Sequence, residues 1–247
     1  MSRILITGGT GNIGVRLVAD MIADGHHVQF TTRSEIKGKS LVEKFNFPKH
    51  LCNPLILDFK EEDALENLRN QLTELPDTII HNARSLETLK ISNDERISSS
   101  DFQEEFYNGI TFPYQLNNFL IDINSPLKDI IFISSMYGNV APSPSLYDDF
   151  NHQSPVNYGV VKAAQIHLTK ELAVRLANKM IRVNAISYGG VEGRVDEKFK
   201  TRYSKLVPSG RMLNHDDLYP PIKYIVDNPN LNITGENLKV DGGWTIW

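Results

Sequence analysis

A single α/β domain, built on a doubly wound parallel sheet of about seven strands, is what this 247-residue sequence predicts. Three observations carry the prediction. Short β-branched runs alternate with amphipathic stretches along the whole chain, with no linker or internal repeat between them. A glycine-rich stretch, Gly8-Gly9-Thr10-Gly11-Asn12-Ile13-Gly14, lies between the first such run and the first amphipathic stretch. Hydrophobic residues make up 40% and charged residues 23%, a balance that suits one domain with a substantial core.

The elements follow in order. Arg3 to Thr7 reads as a buried strand. Gly9, Gly11 and Gly14 then fit G-x-G-x-x-G at a strand-to-helix junction, and the helix runs to about Asp24. Such glycines permit a tight turn and let backbone N–H groups approach a pyrophosphate at the helix N-terminus. His27 to Thr32 is the second strand. A site for NAD usually has an acid at this strand's end to hold the ribose hydroxyls. Here the chain reads Thr31-Thr32-Arg33-Ser34, with Glu35 already past the strand. Arg33 suits a 2′-phosphate, so NADP(H) is favoured over NAD(H).

Leu55 to Leu57 is a third strand ending at Asp58-Phe59, with a helix over about Glu61 to Leu72. Thr78 to Ile80 is a fourth, running into His81-Asn82-Ala83-Arg84. Residues 85–100 are polar and aperiodic, a loop or a poor helix. Asp101 can cap a helix holding Phe102, Phe106, Asn108 and Leu116, bent at Pro113. Asp129 to Ser134 is the fifth strand, and it delivers Ser135 to a strand's carboxyl end, where open α/β sheets place ligands. Ser154 suits an N-cap and Pro155 a first helical position. The helix they start extends to about Asn178, with Val161, Ala164, Leu168, Leu172 and Leu176 toward the core. Ile181 to Ser187 is the sixth strand, broken by Tyr188-Gly189-Gly190-Val191. A polar stretch reaches about Pro208, a short helix near Asp216 to Val226 is interrupted at its start by Pro220-Pro221, and Asn237 to Val240 is the last strand.

Tyr158 and Lys162 are four residues apart on the long helix, so phenol and ammonium share one face. An ammonium about 5 Å from a phenol, at an effective dielectric near 20, favours the phenolate by roughly 3 kcal/mol. The positive end of the helix dipole adds about 0.3–1 kcal/mol. The pair therefore suits proton transfer to or from a substrate oxygen.

Bulk composition narrows the function classes. The net charge of −4, with acids and bases interspersed, leaves no nucleic-acid footprint. Cys52, the single cysteine, allows no intrachain disulfide and fits a reducing compartment. No run of 18 apolar residues suggests a membrane span, and the start of the chain reaches glycines too soon for a signal peptide, so a cytoplasmic location is expected. His26, His27, His50, His81, His152, His167 and His215 show no metal-ligand spacing. Trp244 and Trp247 are expected to pack on a core or on a neighbouring subunit.

These residues together resemble the short-chain dehydrogenase/reductase family over nearly the whole chain. Thr7-Gly8 with Gly14 looks like its cofactor turn, Asp58 like its adenine contact, and Asn82-Ala83 like its Asn-Ala-Gly segment. Asn108, Ser135, Tyr158 and Lys162 match the family's catalytic tetrad in order. Ile233-Thr234-Gly235 and Val240-Asp241-Gly242-Gly243 resemble its C-terminal signature. The resemblance implies a Rossmann fold, a dimer or tetramer of one chain, and a small-molecule substrate with neither nucleic acid nor membrane as partner. It places the dinucleotide against Thr7, Gly8, Thr10, Gly11, Asn12, Ile13, Gly14, Arg33, Asp58, Phe59, Asn82, Ala83, Tyr158, Lys162, Gly189 and Val191. In it, Tyr158 exchanges the proton, Ser135 holds the substrate oxygen, Lys162 holds the nicotinamide ribose, and Asn108 positions a water that relays protons to Lys162.

Departures from the pattern bear on the substrate. Asn12 stands at a usual glycine, and Gly11 instead gives the spacing of the extended branch, which includes sugar epimerases and dehydratases. Arg84 replaces a glycine, Tyr188 a proline, and the Ser135-to-Tyr158 interval is about ten residues longer than usual. Segments 141–154 and 189–213 are expected to shape the substrate pocket. Pro208-Ser209-Gly210-Arg211-Met212 and the last residues are similar to members associated with flagellin modification and sialic-acid-like sugars. Arg194, Lys198, Lys200, Arg202, Lys205 and Arg211 would favour an anionic substrate. The expected function is thus NADP(H)-dependent interconversion of a carbonyl and a secondary alcohol, on an acidic or amino-sugar-like compound. A sugar epimerase or dehydratase that uses the dinucleotide transiently, and a non-catalytic dinucleotide sensor, are the alternatives.

Overall fold

Neighbouring side chains along each central strand enter different cores in the computed structural model, which describes residues 1–247 apart from Lys49 and Arg194. Ile4 and Ile6 join one apolar cluster and Leu5 the other; Ile131 and Ile133 join the first, Ile130 and Phe132 the second. That is the period of two expected of strands covered on both faces. The strands are β1 (Arg3–Ile6), β2 (His27–Thr32), β3 (Cys52–Ile56), β4 (Thr78–His81), β5 (Asp129–Ser135), β6 (Arg182–Tyr188) and β7 (Asn237–Val240). All seven pair in parallel, in the order β3-β2-β1-β4-β5-β6-β7. Strand order reverses between β1 and β4, the switch point at which such sheets open a crevice at their carboxyl ends.

The helices are α1 (Asn12–Ala23), α2 (Glu35–Lys44), α3 (Ala64–Gln71), α4 (Ser99–Phe106), α5 (Phe112–Asp122), α6 (Phe150–Gln153), α7 (Val156–Leu176), α8 (Glu197–Leu206) and α9 (Pro220–Val226). Leu17 and Met21 of α1, Leu41 of α2 and Ile222 of α9 cover one face of the sheet. Leu68 of α3, Leu116 of α5 and Leu172 of α7 cover the other. Each such side chain, once fully buried, contributes about 1.5–3 kcal/mol. A third cluster of Met136, Leu146, Tyr203, Val207, Met212 and Trp244 stands above the carboxyl ends of the strands. Trp244 belongs to this core and stacks on Tyr203 at 4.6 Å, whereas Trp247 is 78% exposed.

Several boundaries differ from the sequence reading for local reasons. Strand β3 begins at Cys52 and contains Pro54, which an edge strand tolerates. Tyr188 is the last residue of β6, paired with Val240, and does not break the strand. The cap of α4 is Ser98, whose hydroxyl accepts the N–H of Asp101, so Asp101 lies inside the helix. The bend expected at Pro113 is a π-helical turn, Tyr107–Thr111, between α4 and α5. Ser154 is not the N-cap of α7: Asp149 starts the separate helix α6, Ser154 is that helix's C-cap, and Pro155 is the N-cap of α7. Pro220 and Pro221 open α9, and a 3₁₀ turn at His215–Asp217 precedes it. Helices α2 and α8 were not expected.

Candidate active site

The glycine turn shapes one wall of the crevice. Gly8 has φ of +70° and its N–H donates to the Thr31 hydroxyl at 3.0 Å. A side chain at Gly14 would bring Cβ within 2.3 Å of the Gly8 carbonyl oxygen, so only glycine lets α1 approach β1 this closely. Gly11 is the N-cap of α1 and supplies no side-chain cap, which leaves the first helical N–H groups open to an anion. Thr7 lies behind the turn: its hydroxyl accepts the N–H groups of Asn82 and Ala83, each at 3.0 Å. The Asn82 amide in turn donates to the carbonyls of Thr7 and Gly8, both at 3.0 Å. Thr7 and Gly14 therefore form the turn without lining the cavity.

The cavity measures about 640 Å³ and runs along the carboxyl ends of the strands. Gly8, Thr10, Gly11, Asn12, Ile13, Asn82, Ala83, Gly189 and Val191 line its middle. Arg33, Asp58 and Phe59 line the end over β2 and β3, and so does Lys37 of α2. Lys37 escaped the sequence reading because α2 did; its place one turn after Arg33 was the available signal. Lys60 also lines this end, with its ammonium 2.8 Å from Glu104.

Asn108, Ser135, Tyr158 and Lys162 line the opposite end. Asn108 lies in the π-helical turn, a distortion that recurs at functional positions. The turn packs on α7 because Gly109 has no Cβ, which would sit 2.3 Å from Val161 Cγ1. Ser135 ends β5, and its hydroxyl oxygen accepts the Tyr137 N–H at 3.2 Å, leaving the hydroxyl proton to donate elsewhere. A closed set of amide and hydroxyl bonds fixes this corner. Asn139 donates to the Ser135 carbonyl (3.2 Å) and the Ser187 hydroxyl (3.1 Å), Ser187 donates to Asn237 (2.7 Å), and Asn237 donates back to Asn139 (2.8 Å).

The same corner is clamped to α7. Ser134 donates to the Lys162 carbonyl at 2.9 Å, and a Cβ at Gly138 would lie 2.7 Å from the Lys162 carbonyl carbon. The Lys162 ammonium donates to the Ile133 carbonyl at 2.7 Å and to Gln165 Oε1 at 3.0 Å, which leaves a third N–H. Burial pushes Lys162 down to about 7; the Arg84 guanidinium pushes in the same direction and Glu105 opposes it. The ammonium lies 5.7 Å from the centre of the Tyr158 ring, so the expected shared helix face is present. Among the described residues, the Tyr158 hydroxyl makes no hydrogen bond, and the Arg84 guanidinium lies 5.0 Å above its ring.

Aromatic side chains line the same end: Tyr137, Tyr147 and Phe199, with Met136 and Met212. Tyr147 comes from the long Ser135-to-Tyr158 interval and shares a 2.7 Å hydroxyl contact with Tyr137. Arg202 of α8 donates to the Leu146 carbonyl at 2.8 Å and pairs with Asp148 at 2.5 Å, joining that interval to the segment after β6. The basic residues expected to favour an anion are engaged elsewhere. Lys200 pairs with Glu197 (2.6 Å), Arg202 with Asp148, and Arg211 with Asp217 (2.6 Å). Lys198 and Lys205 are exposed and off the cavity, and Arg194 lies outside the described residues. Asp24 and the buried His26 meet Asp227, which is distant in sequence, and the Lys223 ammonium pairs with both carboxylates. Among the described residues, no helix is long and apolar enough to cross a membrane.

A parallel sheet with its switch point at a glycine turn, and a Tyr–Lys pair facing the same crevice, defines a class: oxidoreductases that use a nicotinamide dinucleotide. A family model described as enoyl-(acyl carrier protein) reductase matches residues 9–245, and the chain belongs to the short-chain dehydrogenase/reductase family. It is 27% identical over 251 residues to 3-oxoacyl-(acyl-carrier-protein) reductase FabG of Aquifex aeolicus, covering 97% of this chain and 95% of that one. It is 34% identical over 118 residues to post-translational flagellin modification protein A of Campylobacter coli, a match spanning 48% of this chain and 46% of the relative. A crystal structure of a short-chain dehydrogenase from Leptospira borgpetersenii with bound NAD+ superimposes with a TM-score of 0.81 at 25% identity, covering 99% of this chain and 92% of that one.

Proposed function

We propose that the protein is an NADP(H)-dependent reductase or dehydrogenase that interconverts a carbonyl and a secondary alcohol on a small-molecule substrate. The observation that carries this reading is the polarity of one cavity. Ser135, Tyr158 and Lys162 meet at one end, Arg33 and Lys37 at the other, and the open N-terminus of α1 lies between them. The two cations suit a 2′-phosphate, and Asp58 suits the adenosine. The uncapped helix start, with its glycine approach, suits the pyrophosphate. A nicotinamide dinucleotide held there supplies or takes a hydride at the substrate carbon.

The chain's own residues manage the oxygen. Tyr158 gives its phenolic proton to the carbonyl oxygen in reduction and takes it back in oxidation. Ser135 donates its free hydroxyl proton to the same oxygen and stabilises the charge that develops on it. Lys162 holds positive charge beside the phenol, and its value near 7 lets it gain or lose a proton near neutrality. Its third N–H would hold the nicotinamide ribose. Asn108 holds water at the π-turn, on the route by which Lys162 is reprotonated. The aromatic wall excludes solvent from the reacting end.

Titration of the protein with NADPH and NADH, then with keto-sugars and keto acids, tests the reading. Tighter NADPH binding and its oxidation with one substrate are expected. Tyr158→Phe should lower turnover about 10²- to 10⁴-fold while dinucleotide affinity stays within about twofold. Turnover that survives the substitution removes Tyr158 from the chemistry, and equal affinity for the two dinucleotides removes the phosphate role of Arg33.

A further inference from the structure

We propose that Arg84 selects the substrate: its guanidinium receives a carboxylate carried by the carbonyl compound and holds it beside Tyr158. This rests on the reductase reading above and names the group on the substrate that the site recognises. Arg84 lies three residues past the end of β4 and lines the cavity at its reacting end. Its guanidinium lies 5.0 Å over the Tyr158 ring, close to where the substrate oxygen must sit. The guanidinium makes no hydrogen bond or ion pair among the described residues, and its N–H fork matches the two oxygens of a carboxylate.

What the other cations do singles Arg84 out. Lys60 is held by Glu104, and Lys200, Arg202 and Arg211 by acids of their own segment or of the neighbouring interval. Among the described residues, no carboxylate pairs with Arg84, although Glu87 also lines the cavity. Arg84 is an exposed side chain in a crevice whose walls at that end are aromatic, so an anion bound there is partly shielded from water. The charge balance points the same way. Arg84 and Lys162 are like charges at one site, and Arg84 helps push Lys162 toward neutrality. A carboxylate between them restores a counter-charge. A glycine, which the resemblance places at this position, can do none of this.

The anion could also be a phosphate of the dinucleotide, and the test separates the two. Acetoacetate and ethyl acetoacetate, and 4-oxopentanoate and its ethyl ester, are supplied with NADPH to the wild type, Arg84→Gly and Arg84→Lys. The readouts are the acid-to-ester ratio of kcat/KM and the Kd for NADPH. Wild type should favour the acid of at least one pair, Arg84→Gly should lower that ratio roughly 10- to 100-fold, and Arg84→Lys should fall between. The NADPH Kd should not move. A ratio that Arg84→Gly leaves in place overturns the proposal, and so does a loss of NADPH affinity that accounts for the change, which assigns Arg84 to the dinucleotide. If neither pair is reduced, the reductase reading fails on these probes. Calorimetric binding of acetoacetate to the NADP+ complex then decides: Arg84-dependent binding supports the proposal, and its absence overturns it.

Discussion

Lys162 carries a charge into surroundings that disfavour it, and its protonation therefore responds to whatever binds beside it. In the free protein burial holds it near 7. An anionic dinucleotide raises that value, so between about pH 7 and the value in the complex the bound form holds more protons than the free form. The sign follows: NADPH binding takes up a proton, and affinity weakens as pH rises above about 7. Calorimetry at pH 8 in buffers of different ionisation heat should show uptake approaching about one proton, lost in Lys162→Met. Uptake that persists in the variant assigns the titration to another group. The sequence disclosed this lysine and its tyrosine through their spacing on one helix. It could not disclose that the lysine also donates to the Ile133 carbonyl, because that contact needs β5 and α7 packed together; Gln165 is three residues on in the same helix.

At the junction of β5 with α7, backbone meets backbone beside the chemistry. Gly138 sits against the backbone of Lys162, with Cβ space of only 2.7 Å to its carbonyl carbon and 2.8 Å to its oxygen. Backbone cannot swing away as a side-chain end can. Gly138→Ala must move either the turn that carries Ser135 or the helix that carries Tyr158, at a cost of about 1–3 kcal/mol. The expected result is a fall in kcat of about tenfold or more, with NADPH affinity changed less. A kcat within twofold of wild type would mean that the corner absorbs the methyl without moving its catalytic side chains. Strands were legible because a buried β-branched run has few other readings. Helix α2 was not, since Glu35–Lys44 is charge-rich, contains Gly38 and buries only Gly38 and Leu41. Helix α8 was hidden for the same reason: it buries only Tyr203. The cap of α7 was misplaced because a serine before a proline is a good local signal that Asp149, five residues earlier, overrides by starting its own turn.

Across the whole molecule, acid should unfold the protein partly through histidine. His81 is fully buried at the end of β4, shares a 2.8 Å contact with Asn117 Oδ1 and stacks on Phe132. Burial pushes it down to about 4 from an ordinary 6.5, against the smaller effect of Asn117. Between these values the unfolded chain binds more protons than the folded one, so stability is lost as pH falls from about 6.5 to about 4. The loss is on the order of 3 kcal/mol. Burial lowers His26 as well, which adds in the same direction. Urea unfolding at pH 7 and pH 4.5 should show a smaller difference for His81→Gln than for wild type; identical differences would rule His81 out as the acid-sensitive group. The parallel sheet, its seven strands and the glycine turn were readable from patterning alone. The substrate end was not, because its walls come from segments far apart in the chain. Arg202 binds the long interval to the segment after β6, and the Tyr137–Tyr147 hydroxyl contact closes the interval on itself. The extra residues before Tyr158 and the segment after β6 therefore behave as a single heritable cassette: transplanting either one alone into a relative would deliver half of an interlocking part, and substrate preference should travel only when both are moved together.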